Sequence, residues 1–475
     1  MQWTLSPSTE AGSYQFLSKG FEVTAGSQQI SITIEAAEGV WAGYQVFDPM
    51  GEVRAEYIGG RTPQPVIIGR HALISPYTVP GPFPNGLWRI VIGALIQSDR
   101  RPDGDWATCT VVLSDEPGKP LNEPLWADAE QGRFLLGGFD RTRVVNKETR
   151  WYKGDFHTHT IYSDGKMSRE ENNSFAAERG LDFFVATDHN VTPTSWPLGS
   201  ALVIPGVEIT MPFGHYNQLG SRIDPLAGLK NQDAFSEAGM NRIQKNAHAL
   251  GTLNSMNHPF LSEWKWLSRS TTLSRIDSIE IWNDPTYAAN VEATELALKA
   301  WDILLNHGNR LTGVGGSDSH MRPEEVYEGS DEPSVIGDPA TYVYAEELSA
   351  EEILRSVRRG HVFVSRYNCR IDFQVNGHIP GSTIDCETGH TYKAHLAVSY
   401  AKPLRAEWIV DGKLLAVTDK DSTQSLTFAD GGYHWVRVQL RDPNGRLIGF
   451  TNPVYFGEKQ PELMTWGQLL ELMND

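Results

Sequence analysis

Cysteine is scarce in this chain of 475 residues: only Cys109, Cys369 and Cys386 occur. The number is odd and no two form a CxxC pair. A disulfide framework is therefore not expected, and a reducing compartment fits. Long apolar runs are missing too. Nothing approaches the roughly 20 consecutive apolar residues that a membrane helix needs, so no membrane partner is expected. The opening stretch, MQWTLSPSTEAGS, has no basic region followed by an apolar one and does not read as a signal peptide. The expected location is cytoplasmic. Basic residues are in deficit, 41 Lys and Arg against 59 Asp and Glu, for a net charge of −18. A nucleic-acid backbone calls for a basic face, so it is not expected as the main partner. An anionic small substrate stays open, because divalent ions reverse the local charge whatever the global sum.

What is present is ordinary globular material. Hydrophobic residues make up 40% and charged residues 21%, enough for several cores, and the length suggests two to four domains. Three segments differ in rhythm. Residues 1–146 hold short β-rich runs, among them Ile30–Ile34, Trp41–Phe47, Pro65–Ile68, Leu87–Ile92 and Thr108–Leu113. Gly/Pro/Asn turns separate them, which predicts a β-sandwich or jelly roll. A linker is expected between Glu116 and Pro124.

Residues 147–365 alternate strand-like and helical runs. Leu181–Thr187 is continuously apolar, as in a buried parallel strand. Helices are expected after the capping boxes at Ser168–Glu171 and Ser349–Glu352, from about Asp233 to Leu250, and from about Tyr287 to Asn306. This is α/β order and predicts a distorted βα barrel. Residues 366–475 read as β again, a small C-terminal β-sandwich domain closed by a helix over Glu462–Met473.

The chemistry concentrates in the middle segment. His157 and His159 are two apart, so a strand would present both on one face. Asp164 follows in the turn YSDG. Each further strand-like run ends in a candidate ligand: His189 after LDFFVAT, Glu208 after VIPGV with His215 close behind, His258 after TLNSMN, and Asp318 and His320 after LTGVGG. In parallel α/β folds such strand ends converge on one crevice. Six histidines and three carboxylates are too many for one catalytic zinc, which takes about three protein ligands. They suit two or three divalent ions, and the set contains no thiolate.

Five ordered motifs carry a resemblance: FHTHTIYSDG, ATDHN, PGVEIT with HYNQLG, NHP, and GGSDSH. Over about Trp151 to Ser365 the chain resembles the PHP (polymerase and histidinol phosphatase) superfamily, and within it the CehA/McbA-type metallohydrolases. The resemblance implies a seven-stranded type of barrel carrying two or three Zn, Mn or Fe ions. It implies one ion on His157, His159, Glu208 and Asp318. A second would be shared by Glu208 with His215 and His258, and a third held by Asp164, His189 and His320. Some members have a histidine where this chain has Asp164.

The reaction expected is hydrolysis, with a bridging hydroxide as nucleophile and the ions stabilising charge on the phosphoryl oxygens. The favoured substrate is a small phosphate mono- or diester. Carbamate, amide or carboxylic ester hydrolysis by the same cluster is the alternative. A glycan- or partner-binding protein with a vestigial site is a third reading. Asp188 is a candidate for orienting a ligand or shuttling a proton, His361 for a leaving-group acid, and Arg366, Arg222 and Arg322 for phosphate clamps. Asn190, Asn217 and Asn283 are candidate substrate contacts. Trp264 and Trp266, at strand spacing after NHP, are candidates for the cleft wall. The remaining histidines, among them His71, His248, His307 and His378, match no motif. Oligomeric state is left open.

Overall fold

The structure, a computed structural model, describes residues 1–6, 14–57, 62–70, 75–96, 103–116, 118, 122–211, 213–225 and 236–474. His71, part of the expected linker and the start of the helix expected from Asp233 lie outside the described residues. No described helix is long and apolar enough to cross a membrane. All three cysteines are free.

The first eight strands are β1 (Gln2–Leu5), β2 (Tyr14–Val23), β3 (Gln29–Ala36), β4 (Val40–Phe47), β5 (Val53–Tyr57), β6 (Val66–Gly69), β7 (Gly86–Ile96) and β8 (Ala107–Ser114). They form two antiparallel sheets, ordered β1–β8–β3–β6 and β2–β7–β4–β5. Alternation drives this. Ile30, Ile32 and Ile34 all point inward from β3, where they join Trp88 and Trp106 in one core.

The central sheet follows. Its strands are β9 (Arg150–Asp155), β10 (Phe183–Ala186), β11 (Leu202–Met211), β12 (Gly214–Leu219), β13 (Leu253–Met256), β14 (Ser278–Asn283) and β15 (Thr312–Gly316), adjacent in that order. Helices α1 (Arg169–Glu178), α2 (Glu237–Ala249) and α3 (Asn290–Asn306) follow β9, β12 and β14. The ladders β9–β10–β11 and β13–β14–β15 are parallel, while β12 runs against both its neighbours. All four residues of β10 are buried, as a strand covered on both faces requires. The Phe183 ring lies against Gly154 on β9, where a Cβ would sit 2.2 Å from it.

Among the described residues no ladder joins β15 back to β9. The two ends meet at a single parallel bridge, Thr158 to Ser319, and where the Asp318 N–H donates to the His157 carbonyl at 2.9 Å. The other flank of β9 is taken by β16 (Ala340–Ala345), antiparallel, and β17 (Val362–Ser365) pairs antiparallel beyond it. Two reversals therefore bring Ser365 to the same end of the sheet as Asp155, and Val362 to the opposite end. Between these strands lies α4 (Ala350–Arg358). The box at Ser168 is reciprocal with Glu171. That at Ser349 is only half formed: its hydroxyl accepts from the Glu352 N–H, but the Glu352 carboxylate turns to Ser356 and Arg355.

The last elements are β18 (Arg370–Val375), β19 (Thr383–Ile384), β20 (Thr391–Ser399), β21 (Arg405–Val410), β22 (Lys413–Thr418), β23 (Ser422–Thr427), β24 (His434–Arg441), β25 (Leu447–Thr451), β26 (Val454–Phe456) and α5 (Trp466–Asn474). Strands β18, β20 and β23 form their own sheet, whose Phe373 and Leu396 share a core with Trp408 and Val438. The central sheet does not stop at β17. It continues through β25, β24, β21 and β22, so a hydrogen-bonded ladder crosses the division expected at 365/366. Trp466 and Leu469 of α5 belong to the central core.

One side chain pins this junction. Asn452 is buried, donates to Gly313 O at 2.7 Å and Val362 O at 3.1 Å, and accepts from Gly313 N at 2.8 Å. Asn452→Ala leaves buried backbone groups of β15 without partners, a loss of roughly 2–4 kcal/mol. Urea unfolding is expected to show a midpoint lowered accordingly; an unchanged midpoint would remove Asn452 from this role.

Candidate metal centre

The loops leaving β9, β10, β11, β13 and β15 meet at one end of the central sheet. His157 and His159 lie just past β9 and are fully buried. The turn that carries them is held by Asp155. One of its oxygens accepts from the N–H groups of His157 and Ser317, both at 3.1 Å, and the other from Gly337 N at 2.6 Å. Burial pushes the Asp155 carboxyl up to about 6. His189 and Glu208 are bridged backbone to backbone across β10 and β11. Asp318, His258 and Asn190 have φ of +48°, +28° and +52°. Left-handed backbone at non-glycine residues costs energy and clusters where the surroundings enforce it. Gly316 makes the close approach possible, since a Cβ there would lie 2.4 Å from the Cβ of His157 and 2.5 Å from Glu280 Oε1.

Glu208 is the hub. Its carboxylate lies 3.3 Å from His157 Nε2, 3.4 Å from His159 Nε2, 2.7 Å from His189 Nδ1, 3.2 Å from His215 Nδ1 and 3.4 Å from His258 Nε2. Asp318 lies 3.2 Å from His157 and 3.0 Å from His159. Asp164 lies 3.0 Å from His320 and 3.5 Å from His189. All nine candidate ligands are thus brought together. Their atoms fall into overlapping groups whose members lie within 4.8 Å of one another: His159, Asp164, His189 and His320; His157, His159 and Glu208; His157, His258 and Asp318; His189, Glu208 and His215. These differ from the grouping the resemblance implies. His159 shares the Asp164 group, and His258 sits with Asp318 and His157.

Charge in the cluster is divided unevenly. Burial lowers the His157 imidazole, but Asp318, Glu208 and Glu280 outweigh it and hold it well above its usual range. The same competition, won by Asp164 and Glu208, raises His189. Burial is outweighed at His320 also, by Asp164 foremost, which brings it to about 9. Burial drives His159 down to about 4, helped by the neighbouring His320 and His189. His215 is lowered by burial despite Glu208. Glu208 is buried and Asp318 largely so, yet the imidazoles hold both well below the usual carboxylate range. Such a cluster favours cations at its centre.

The donor geometry fits a metal. His157 Nε2, His159 Nε2, Glu208 Oε2 and Asp318 Oδ1 are buried and make no well-angled hydrogen bond, although their neighbours are at ion-pair distance. Buried polar atoms are nearly always hydrogen-bonded. Atoms that approach without bonding are aimed at the space between them. Nitrogen and carboxylate donors without thiolate suit zinc, manganese or iron. Exposure rises across the cluster, from fully buried His157 and Glu208 to 24% at His320 and 34% at Asp164, so solvent reaches it from the Asp164 side.

The remaining candidates fare differently. Asp188 is in the cluster wall, but its carboxylate is saturated. It accepts from Thr160 N, Thr160 Oγ1 and Ser163 Oγ, each at 2.7 Å, and from the Tyr77 hydroxyl. It braces the loop rather than shuttling protons. His361 precedes Val362 and so lies at the opposite end of the sheet, before the start of a strand whose C-terminal end points to the site. Arg366 is at the correct end but already paired, with Asp338 at 3.0 and 2.8 Å and Glu332 at 2.5 Å. Arg322 pairs with Glu171 at 2.7 Å, and Arg222 lies past the far end of β12. Asn190 and Asn217 are bonded to the backbone of Thr210 and Phe156. Asn283 donates to Asp318 at 3.1 Å. Trp266 is core; Trp264, 43% exposed, is the one at the surface, beside Tyr287. Neither lies on a strand.

The sequence reading missed Glu280. From β14 it reaches His157 Nδ1 at 3.1 Å and accepts from His258 N at 2.9 Å, orienting two candidate ligands at once. Its only signal was a carboxylate inside an otherwise apolar strand, SIEIWN.

No protein-family model matches the chain, and no curated protein does. Among solved structures, it is similar to a two-domain protein of Bacteroides vulgatus containing a predicted PHP-like metal-dependent phosphoesterase. Identity is 17%, coverage 66% of this chain and 99% of the other, and TM-score 0.36. A protein of Bifidobacterium adolescentis assigned as a metal-dependent phosphoesterase matches at 14% identity over 39% of this chain and 93% of its own, TM-score 0.25. An amidohydrolase of Chromobacterium violaceum matches at 15% identity over 38% and 92%, TM-score 0.22.

Groups that orient metal-ligating imidazoles typically contribute ~10–100-fold in affinity. Glu280→Gln puts an amide where His157 Nδ1 needs a carboxylate. Chelator competition is expected to show zinc affinity falling by about that factor with the fold retained. Unchanged affinity would exclude Glu280 from the centre.

Proposed function

We propose that the chain is a metal-dependent hydrolase whose substrate is a small phosphate mono- or diester. The observation that carries the reading is the convergence of His157 Nε2, His159 Nε2, Glu208 Oε2 and Asp318 Oδ1, buried and without a well-angled hydrogen bond, at one end of the central sheet.

In this reading His157, His159, Glu208, His258 and Asp318 hold the inner ion or ions, with His215 on the Glu208 side. Asp164, His189 and His320, joined by His159, would hold an outer one. When bound, divalent ions supply Lewis acidity and bring the pKa of water at the site toward neutrality. The chain does the rest. Glu280 and Asn283 fix the directions of His157 and Asp318. Asp155 keeps the β9 turn against the Ser317 and Gly337 backbone, so the ligands are set before substrate arrives. Burial of His157, His159 and Glu208 excludes bulk water from that side, and substrate enters past Asp164 and His320.

A second reading, hydrolysis of a carbamate, amide or carboxylic ester, is favoured by a specific observation. Arg366 and Arg322 are each neutralised by carboxylates, so neither offers a free guanidinium to a phosphate. A neutral carbonyl substrate needs no such clamp.

Protein supplied with manganese or zinc is expected to turn over a nitrophenyl phosphate or bis-nitrophenyl phosphate. Chelation should abolish this and metal restore it. His157→Ala and Asp318→Ala should each lower kcat/KM by roughly 1,000-fold, about 4 kcal/mol of barrier, while the circular dichroism spectrum is retained. Turnover of a nitrophenyl carboxylic ester alone would favour the second reading.

A further inference from the structure

The N-terminal β domain touches the wall of the cluster. After β6, the segment Ser75–Val79 crosses to the central sheet. Thr194 N donates to Pro76 O at 2.7 Å, and the Thr194 hydroxyl lies 2.8 Å from Pro76 O and 2.7 Å from Thr78 O. The Thr62 hydroxyl donates to Tyr162 O at 2.8 Å. Between these contacts Tyr77 is buried, its ring 5.2 Å from that of Tyr162 and its hydroxyl donating to Asp188 Oδ2.

A chain of bonds runs on from there. Asp188 Oδ1 accepts from Thr160 N and Ser163 Oγ, and Ser163 Oγ lies 3.4 Å from His159 Nδ1. The serine has one proton and gives it to a carboxylate, which can only accept. Its oxygen must therefore accept from His159, which places the His159 proton on Nδ1. That leaves the Nε2 lone pair free, on the side where Glu208 and Asp318 lie. Choice of tautomer by the hydrogen bond at the other nitrogen is how a ligating imidazole is prepared.

We propose that Tyr77 is a positioning residue of the metal centre: acting through Asp188 and Ser163, the N-terminal domain sets the tautomer of His159 and the place of the loop that delivers Asp164. The proposal rests on the metal-centre reading. Two groups share His159 and are affected: His159, Asp164, His189 and His320 on the solvent-facing side, and His157, His159 and Glu208 further in. The same N-terminal segment also grips the loop that follows His189, through Thr194. The centre is then built from two domains, although every candidate ligand comes from one.

Tyr77→Phe removes the hydroxyl and keeps the ring. Two readouts apply, on the full-length chain. The first is zinc binding by competition with a chromophoric chelator. Zinc affinity is expected to fall about 10-fold, since His159 belongs to both an inner and an outer group of the cluster. The second is the nitrogen-15 spectrum of the His159 ring in metal-free protein, expected as the Nδ1–H form in wild type and as a tautomer mixture in Tyr77→Phe. A purely structural role would lower the unfolding midpoint and leave both readouts unmoved in the folded protein, which overturns the proposal. Ser163→Ala cuts the same chain from inside the central domain and is expected to give the same two changes should Tyr77→Phe not fold. If wild type binds no zinc, the metal-centre reading fails, while the tautomer measurement still decides whether Tyr77 positions His159.

Discussion

Glu208 is a carboxylate with no exposed surface, and five imidazoles are the groups that surround it at ion-pair distance. Burying such a charge costs far more than a domain's net stability unless partners answer it. Among the described residues neither lysine nor arginine does so. The histidines must arrive from four separate segments, and each segment must place its ring at one point. Much of what is unusual nearby follows from that demand: left-handed backbone at Asp318 and His258, a glycine at 316, and Asp155 pulling three loops together.

The sheet meets the demand by direction. Strands β9, β10, β11, β13, β14 and β15 run the same way, so their exits lie together, and His215 enters from the start of the reversed β12. Closure between β15 and β9 is limited to the ligand-bearing end, where Asp318 bonds to His157. The elements flanking the gap, β16 and β17, cover what an isolated curl would expose.

Much of this was legible in the sequence. Apolar runs ending in His, Asp or Glu place ligands at strand exits because chain direction is written into the order of motifs. The strands of the N-terminal domain were legible as Ile-Ser-Ile-Thr-Ile alternation in β3 and its counterparts. Other features were not. His361 looked close because it is near Ser365 in sequence, but β17 starts at the end of the sheet away from the site and only its last residues reach it. Arg366 looked free because Glu332 and Asp338, which neutralise it, lie on a loop with no motif of its own. Tyr77 is 111 residues from Asp188 and in another domain, so no local pattern could link them.

The ladder from β17 to β25 makes the chain's modularity different in space from its modularity in sequence. A fragment ending at Ser365 would keep all nine candidate ligands but bare the backbone edge of β17 along Phe363, Val364 and Ser365. Uncovered edges of that kind recruit other strands. The C-terminal strands thus serve as a permanent sheath for the half that carries the candidate ligands, even though the composition changes at that seam.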